Sequence, residues 1–154
     1  MYPLKRQRGF SLIELIIVIA VMGILGSLAA YSWTRYVANS NLRTATREVM
    51  ADLALARQKA ISEGVQYRLT FTAGSSAYTI SASPFSTSTT KNLTDFGTNL
   101  SVQSVSFGSG QVTFLPRGTL SSNTGTVVLT NSRNSMATIT INITGRTYVQ
   151  FNMQ

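Results

Sequence analysis

Three hydrophobic patterns follow one another along the chain. From Phe10 to Tyr31 the residues are apolar or small on every side, with Glu14 the single charged group. As a helix these 22 residues reach about 33 Å, close to the roughly 30 Å hydrocarbon core of a bilayer. The second pattern has helical period. Ala38, Leu42, Ala45, Val49, Leu53, Ala56 and Ala60 recur every three or four residues and form one amphipathic face. Arg43, Arg47, Glu48, Asp52, Arg57 and Lys59 fall largely off that stripe, and Glu48 and Asp52 read as one helix face. Lys59 and Glu63 form an i,i+4 pair, and Gly64 is a helix stop. A helix is therefore expected over 37–63.

After Gly64 the period becomes two. Val65 to Phe71 alternates as a half-buried strand, Ala73 to Ser76 is a turn, and Ala77 to Ala82 returns. Residues 83–92, a Ser/Thr-rich run, read as a polar loop. Further strands are expected near 99–106, 111–115, 125–130, 136–143 and 147–152. Gly108-Ser109-Gly110 and Asn131 to Asn134 are hairpin signals. One long helix followed by antiparallel strands with short turns gives an α+β fold, a helix packed on an antiparallel sheet or sandwich.

Composition narrows the chemistry. The 154 residues contain no cysteine and no histidine, so disulfides, thiol nucleophiles and imidazole bases are excluded. Only Glu14, Glu48, Asp52, Glu63 and Asp95 carry carboxylates, too few and too scattered for a catalytic pair or a metal site. No catalytic residue, no metal and no cofactor is expected, and the chain does not read as an enzyme. The net charge is +8. Lys5, Arg6 and Arg8 precede the apolar run, which directs the N-terminus to the cytoplasm. Tyr31, Trp33 and Tyr36 stand where an aromatic belt meets the outer interface.

Three readings compete for the N-terminus. A secretory signal peptide has a plausible small-residue cut before Ala30, but the apolar run exceeds the usual 7–15 residues. A plain membrane anchor fits the length and leaves Glu14 unexplained, because a carboxylate in an apolar helix is costly without a partner. The third reading accounts for it. Arg8-Gly9-Phe10-Ser11-Leu12-Ile13-Glu14-Leu15 closely resembles the type IV prepilin motif. The resemblance implies a pilin-like fold and a single-pass protein of the bacterial inner membrane, with its C-terminal domain in the periplasm. It further implies cleavage by prepilin peptidase between Gly9 and Phe10, methylation of Phe10, and a Glu14 that meets the terminal amine of a neighbouring subunit. The expected parts are a cleaved leader over 1–9, a membrane and filament-core helix over 10–36, and a periplasmic domain over 37–154. Without the leader, ten Lys/Arg face five acids, a net of +5. Many major pilins have a proline at the place of Tyr31 and a C-terminal cysteine pair. Both are absent here, which favours a minor subunit.

Two further stretches narrow the branch. Phe114-Leu115-Pro116-Arg117-Gly118 resembles the Phe-x-Pro-x-Gly stretch of H-type pseudopilins of type II secretion and of FimT-like pilins. Gly145-Arg146, between two strands, resembles that group's ending, as does the helix phrase from Asp52 to Ile61. A plain proline–glycine turn and a glycine hairpin are the simpler account of both turns. The branch implies a minor pseudopilin of a type II secretion system, with other pilins or pseudopilins, and secreted cargo, as partners. The alternative is a FimT-like minor pilin of a type IV pilus that binds DNA. The DNA loop of that group reads Gly-Arg-x-Arg, and here Tyr148 replaces the second arginine. Arg117, Arg133, Arg146 and Tyr148 are the candidate DNA contacts. A mildly basic solvated surface is the plainer reading of the charge.

Overall fold

A computed structural model of the chain describes residues 10–154, with the side chains of 28–32 outside the description. A single long helix, α1 (Leu12–Glu63), opens the fold. The chain divides into two units, Met1–Tyr36 and Val37–Gln154, and the following account treats each by itself.

In the second unit, α1 buries the stripe read from the sequence. Leu42, Val49, Leu53 and Ala60 are fully enclosed, and Ala45 and Ala56 nearly so. Eight strands follow: β1 (Tyr67–Phe71), β2 (Ala77–Ala82), β3 (Ser88–Asn92), β4 (Ser101–Val105), β5 (Gln111–Phe114), β6 (Gly125–Thr130), β7 (Met136–Ile141) and β8 (Thr147–Asn152). They form two four-stranded antiparallel sheets, ordered β3-β2-β1-β5 and β4-β6-β7-β8. Leu69, Phe71 and Tyr78 from the first sheet and Val102, Val127, Leu129, Ile139 and Ile141 from the second share one core with the helix stripe. The alternation in β6 and β7 is the cause: every second side chain points to that core. The fold is α+β, as the hydrophobic periods predict.

Three expectations need correction. Residues 83–92 are not all loop, because Ser88–Asn92 pairs antiparallel with β2. This strand is exposed on both faces, so it carries no alternation to read. Gly108–Gly110 is a short 3-10 turn and not a hairpin, since it carries the chain from β4 in one sheet to β5 in the other. Local turn chemistry reverses the backbone but does not choose the next partner strand. Strand β7 ends at Ile141, and Ile143 is exposed in the following turn. Here the Asn142 side chain accepts the Arg146 N–H at 2.9 Å and ends the ladder. Asp52 lies off the apolar stripe and is nonetheless shielded from solvent. Its carboxylate accepts the Tyr78 hydroxyl at 2.5 Å and lies 3.5 Å from Lys91 Nζ.

Candidate assembly and interaction sites

The first candidate site is the N-terminal helix. Gly9 lies outside the described residues, as do the rest of the leader and the basic cluster before it. Phe10 is 82% exposed. Glu14 lies in the first turn of α1, where the positive end of the helix dipole favours a carboxylate. Its own N–H is bonded to the Ser11 carbonyl at 3.1 Å. Around it Leu12, Ile13, Leu15, Ile17, Met22 and Leu25 are all exposed. Such a continuous apolar surface needs cover from lipid or protein. Among the described residues no helix is long and apolar enough to cross a membrane. The expected span over Phe10–Tyr31 is described side chain by side chain only as far as Ser27.

The second candidate site is built by two turns. In Pro116–Gly118 the chain reverses between Leu115 and Thr119, with Leu115 N–H donating to the Thr119 carbonyl and Gly118 N–H to that of Leu115, each at 2.8 Å. The turn after β7 reverses similarly, with Gly145 N–H donating to the Asn142 carbonyl at 2.8 Å. Leu120 N–H joins the two segments through the Ile143 carbonyl at 3.0 Å. Gly118 (φ 80°) and Gly145 (φ 77°) both adopt the left-handed region. A Cβ on Gly145 would run into the Gly118 carbonyl oxygen and the Arg57 side chain. A Cβ on Gly118 would come within 2.6 Å of Ile61 Cδ1. Arg57 secures the arrangement: its Nε donates to the Gly118 carbonyl at 2.9 Å. The two stretches that suggested a branch therefore meet at one place against the helix. Close backbone approach requires glycine at 145, while at 118 the positive φ favours glycine and the crowding comes from side chains alone.

This geometry sorts the four basic or aromatic candidates. Arg117 and Arg146 stand exposed on the touching turns, and Tyr148 shares a groove with Arg57, Gln58 and Ile61. Arg133 does not join them. Its hairpin is fastened to the other end of the second unit, where Asn131 Nδ2 donates to the Ala38 carbonyl at 3.1 Å. Ala38 and Arg57 lie roughly 29 Å apart along the helix axis at the standard rise. Arg57 was missed by periodicity because it sits at the flank of the buried stripe, next to Ala56. That adjacency was the available signal.

The third cluster is the buried carboxylate. Tyr78 stacks on Phe71 with ring centroids 5.2 Å apart and presents its hydroxyl to Asp52. Burial first, and the Asp52 hydrogen bond second, push the Tyr78 phenol well above its usual range. Lys91 of β3 bridges Glu48 at 3.2 Å and Asp52 at 3.5 Å. Its pKa is raised, chiefly by the hydrogen bond to Glu48 and then by the Asp52 charge. These are the ion pairs among the described residues. Glu63 pairs with no lysine and instead accepts the Tyr67 hydroxyl at 2.7 Å. The cluster ties the edge strand β3 to the helix. No group of residues that could hold a metal ion occurs among the described residues.

With this geometry established, comparison with known proteins becomes informative. The family model described as type II transport protein GspH matches residues 45–145, well over half of the chain. The chain belongs to the GspH family. A second model, the prokaryotic N-terminal methylation motif, matches residues 4–30, the stretch that holds Gly9, Phe10 and Glu14. The GspH match takes in Arg57, both turns and the whole core from Ala45 to Ile141. Similarity also extends to a fimbrial protein of Pseudomonas aeruginosa, 44% identical over 61 residues, or 40% of this chain and 39% of that protein. A probable minor fimbrial protein of Dichelobacter nodosus is 34% identical over 61 residues, covering 40% and 38%. The chain thus spans about two fifths of the length of the curated relatives it matches. In fold it is similar to the type IV minor pilin FimU of Pseudomonas aeruginosa, with a TM-score of 0.58 at 16% identity over 75% of this chain and 92% of that one. The long helix on antiparallel sheets is that pilin fold.

Proposed function

We propose that this GspH-family chain is a minor pseudopilin of a type II protein secretion system. Prepilin peptidase cuts it between Gly9 and Phe10, and Phe10 is N-methylated. Before assembly the N-terminal helix holds it as a single-pass protein of the bacterial inner membrane, with residues 37–154 in the periplasm. It then enters a filament with other pseudopilins. The observation that carries this reading is the exposed apolar helix from Leu12 to Leu25 with one carboxylate, Glu14, near its start. Lipid covers that surface in the membrane, and neighbouring helices cover it in the filament. The new terminal amine at Phe10 and the Glu14 carboxylate of an adjacent subunit are each costly alone in an apolar bundle. Paired, they offset that cost and set the axial register. The chain performs no catalysis and binds no cofactor in this role. It contributes a shaped subunit to a machine whose cargo is a secreted protein.

A minor pilin of a type IV pilus is the second reading, favoured by the similarity to fimbrial proteins over 61 residues. DNA binding is its weaker part. Arg133 lies away from Arg117, Arg146 and Tyr148, and the Gly145-Arg146-Thr147-Tyr148 loop lacks a second arginine. Deleting the gene in the native host separates the two. Loss of extracellular enzymes from the medium, restored by the wild-type gene and not by Glu14→Ala, is the expected result. Intact secretion with loss of surface pili supports the pilus instead.

A further inference from the structure

A sheet edge invites pairing with another chain unless it is covered, kinked, charged or very short. Three of the four edges here are managed in one of those ways. Strand β5 is bridged through Phe114 and Leu120, and its Thr113 carbonyl accepts the Ser121 N–H. Strand β4 has a bulge between Val102 and Ser104, and both backbone groups of Val102 are taken by Gly74 and Ser75. Strand β3 is polar and carries Lys91.

Strand β8 has none of these protections. It has six residues, Thr147-Tyr148-Val149-Gln150-Phe151-Asn152, with no charge and no proline, and its six pairs with β7 run without a bulge. The bonded pair Asn142 and Arg146 fixes which groups face outward. Antiparallel pairs alternate between bonded and non-bonded. Tyr148, Gln150 and Asn152 therefore bond to β7, while Thr147, Val149 and Phe151 direct their N–H and C=O groups to the open side.

The flank of that edge is cationic. Arg43 lies over the Phe151 ring, 5.8 Å from its centroid. Ala54, Arg57, Gln58 and Ile61 line a groove of about 590 Å³ with Gly145 to Tyr148. Arg47 falls on the same helix stripe by the 100° step. The side-chain carboxylates are elsewhere: Glu48 and Asp52 face Lys91, Glu63 faces Tyr67, and Asp95 sits in a 3-10 turn. An incoming strand would present every second side chain to the arginines.

We propose that the β8 edge is a docking site for an extended segment of a different protein, added as a ninth strand, with carboxylates on alternate residues. Main-chain bonds to Thr147, Val149 and Phe151 supply affinity, and the arginine stripe selects the acidic pattern. A second copy of this chain is not the occupant, because its carboxylates lie on α1 and in the 3-10 turn and on none of its strands. The site requires a heterologous partner, which suits a minor subunit but holds equally for secretion or pilus.

The test uses the full chain in detergent micelles. The probes are a short synthetic peptide alternating Glu and Thr, its Lys and Thr counterpart, and a single-stranded oligonucleotide of equal charge. The Glu peptide should bind and slow hydrogen exchange at the amides of Thr147, Val149 and Phe151. Binding should weaken about tenfold or more with Arg43→Glu/Arg47→Glu. Val149→Pro removes one outward N–H without touching the β7 ladder and should abolish it. Should that variant fail to fold, the two arginine positions, exposed on the helix, decide the matter. The proposal is overturned if those amides gain no protection, if the Lys peptide binds equally, if charge reversal changes nothing, or if the oligonucleotide binds there and the peptide does not.

Discussion

Arg57 reaches from near the C-terminal end of the helix to the Gly118 carbonyl, 2.9 Å away and 61 residues later in the chain. That one bond fastens a turn after β5 to the helix, and Gly145 presses on the same turn from the β7–β8 hairpin. Substituting Gly145 with alanine forces a Cβ into the Gly118 carbonyl at a positive φ, and should cost about 1–3 kcal/mol. Arg57→Ala leaves a half-buried carbonyl without its donor and should cost about 1–2 kcal/mol. Gly118→Ala should cost less than Gly145→Ala, because the Ile61 side chain it meets is able to turn away. Urea unfolding of the three variants ranks them.

The Asp52 and Tyr78 pair makes a second prediction. Tyr78→Phe removes a donor to a buried carboxylate and leaves Lys91 as its remaining partner, so stability at neutral pH should fall by about 1–3 kcal/mol.

The same cluster gives a pH dependence. Tyr78 and Lys91 both have folded-state pKa values raised above the ordinary 10.0 and 10.5. Their stabilising contribution is therefore complete below about pH 10 and is lost as pH rises, because the unfolded chain releases those protons first. The urea midpoint should hold steady from neutrality to about pH 9 and decline beyond about pH 10, with a shallower decline in Tyr78→Phe. A midpoint that rises above pH 10 would contradict this assignment.

Packing on the helix stripe predicts a contrast between neighbours. Leu53 is fully buried, and Leu53→Ala should cost about 2–5 kcal/mol through lost transfer and a residual cavity. Leu55 is 48% exposed, and Leu55→Ala should cost well under half as much.

Much of this fold was legible because one face of each element is buried. The stripe from Leu42 to Ala60 and the alternation in β1, β6 and β7 exist for that reason. Strand β3 escaped because burial leaves no imprint on a strand exposed on both faces. The step from β4 to β5 escaped because Val112 and Phe114 bury beside Leu69, a partner that local turn residues do not specify. The burial of Asp52 leaves no mark on the helical period, because its partner Tyr78 lies 26 residues away. Of the candidate DNA contacts, Arg117, Arg146 and Tyr148 come together, while Arg133 is held at the opposite end. Spacing in sequence did not carry that information.

The central claim concerns Gly9, Phe10 and Glu14. Glu14→Ala should abolish recovery of the chain in sheared or pelleted filaments and leave the unfolding of the Val37–Gln154 unit unchanged. The most direct measurement is mass spectrometry of the N-terminus of the chain purified from its native host. The account predicts a mature chain that begins at N-methylated Phe10. A chain that begins at Met1 or at Ala30 would contradict it.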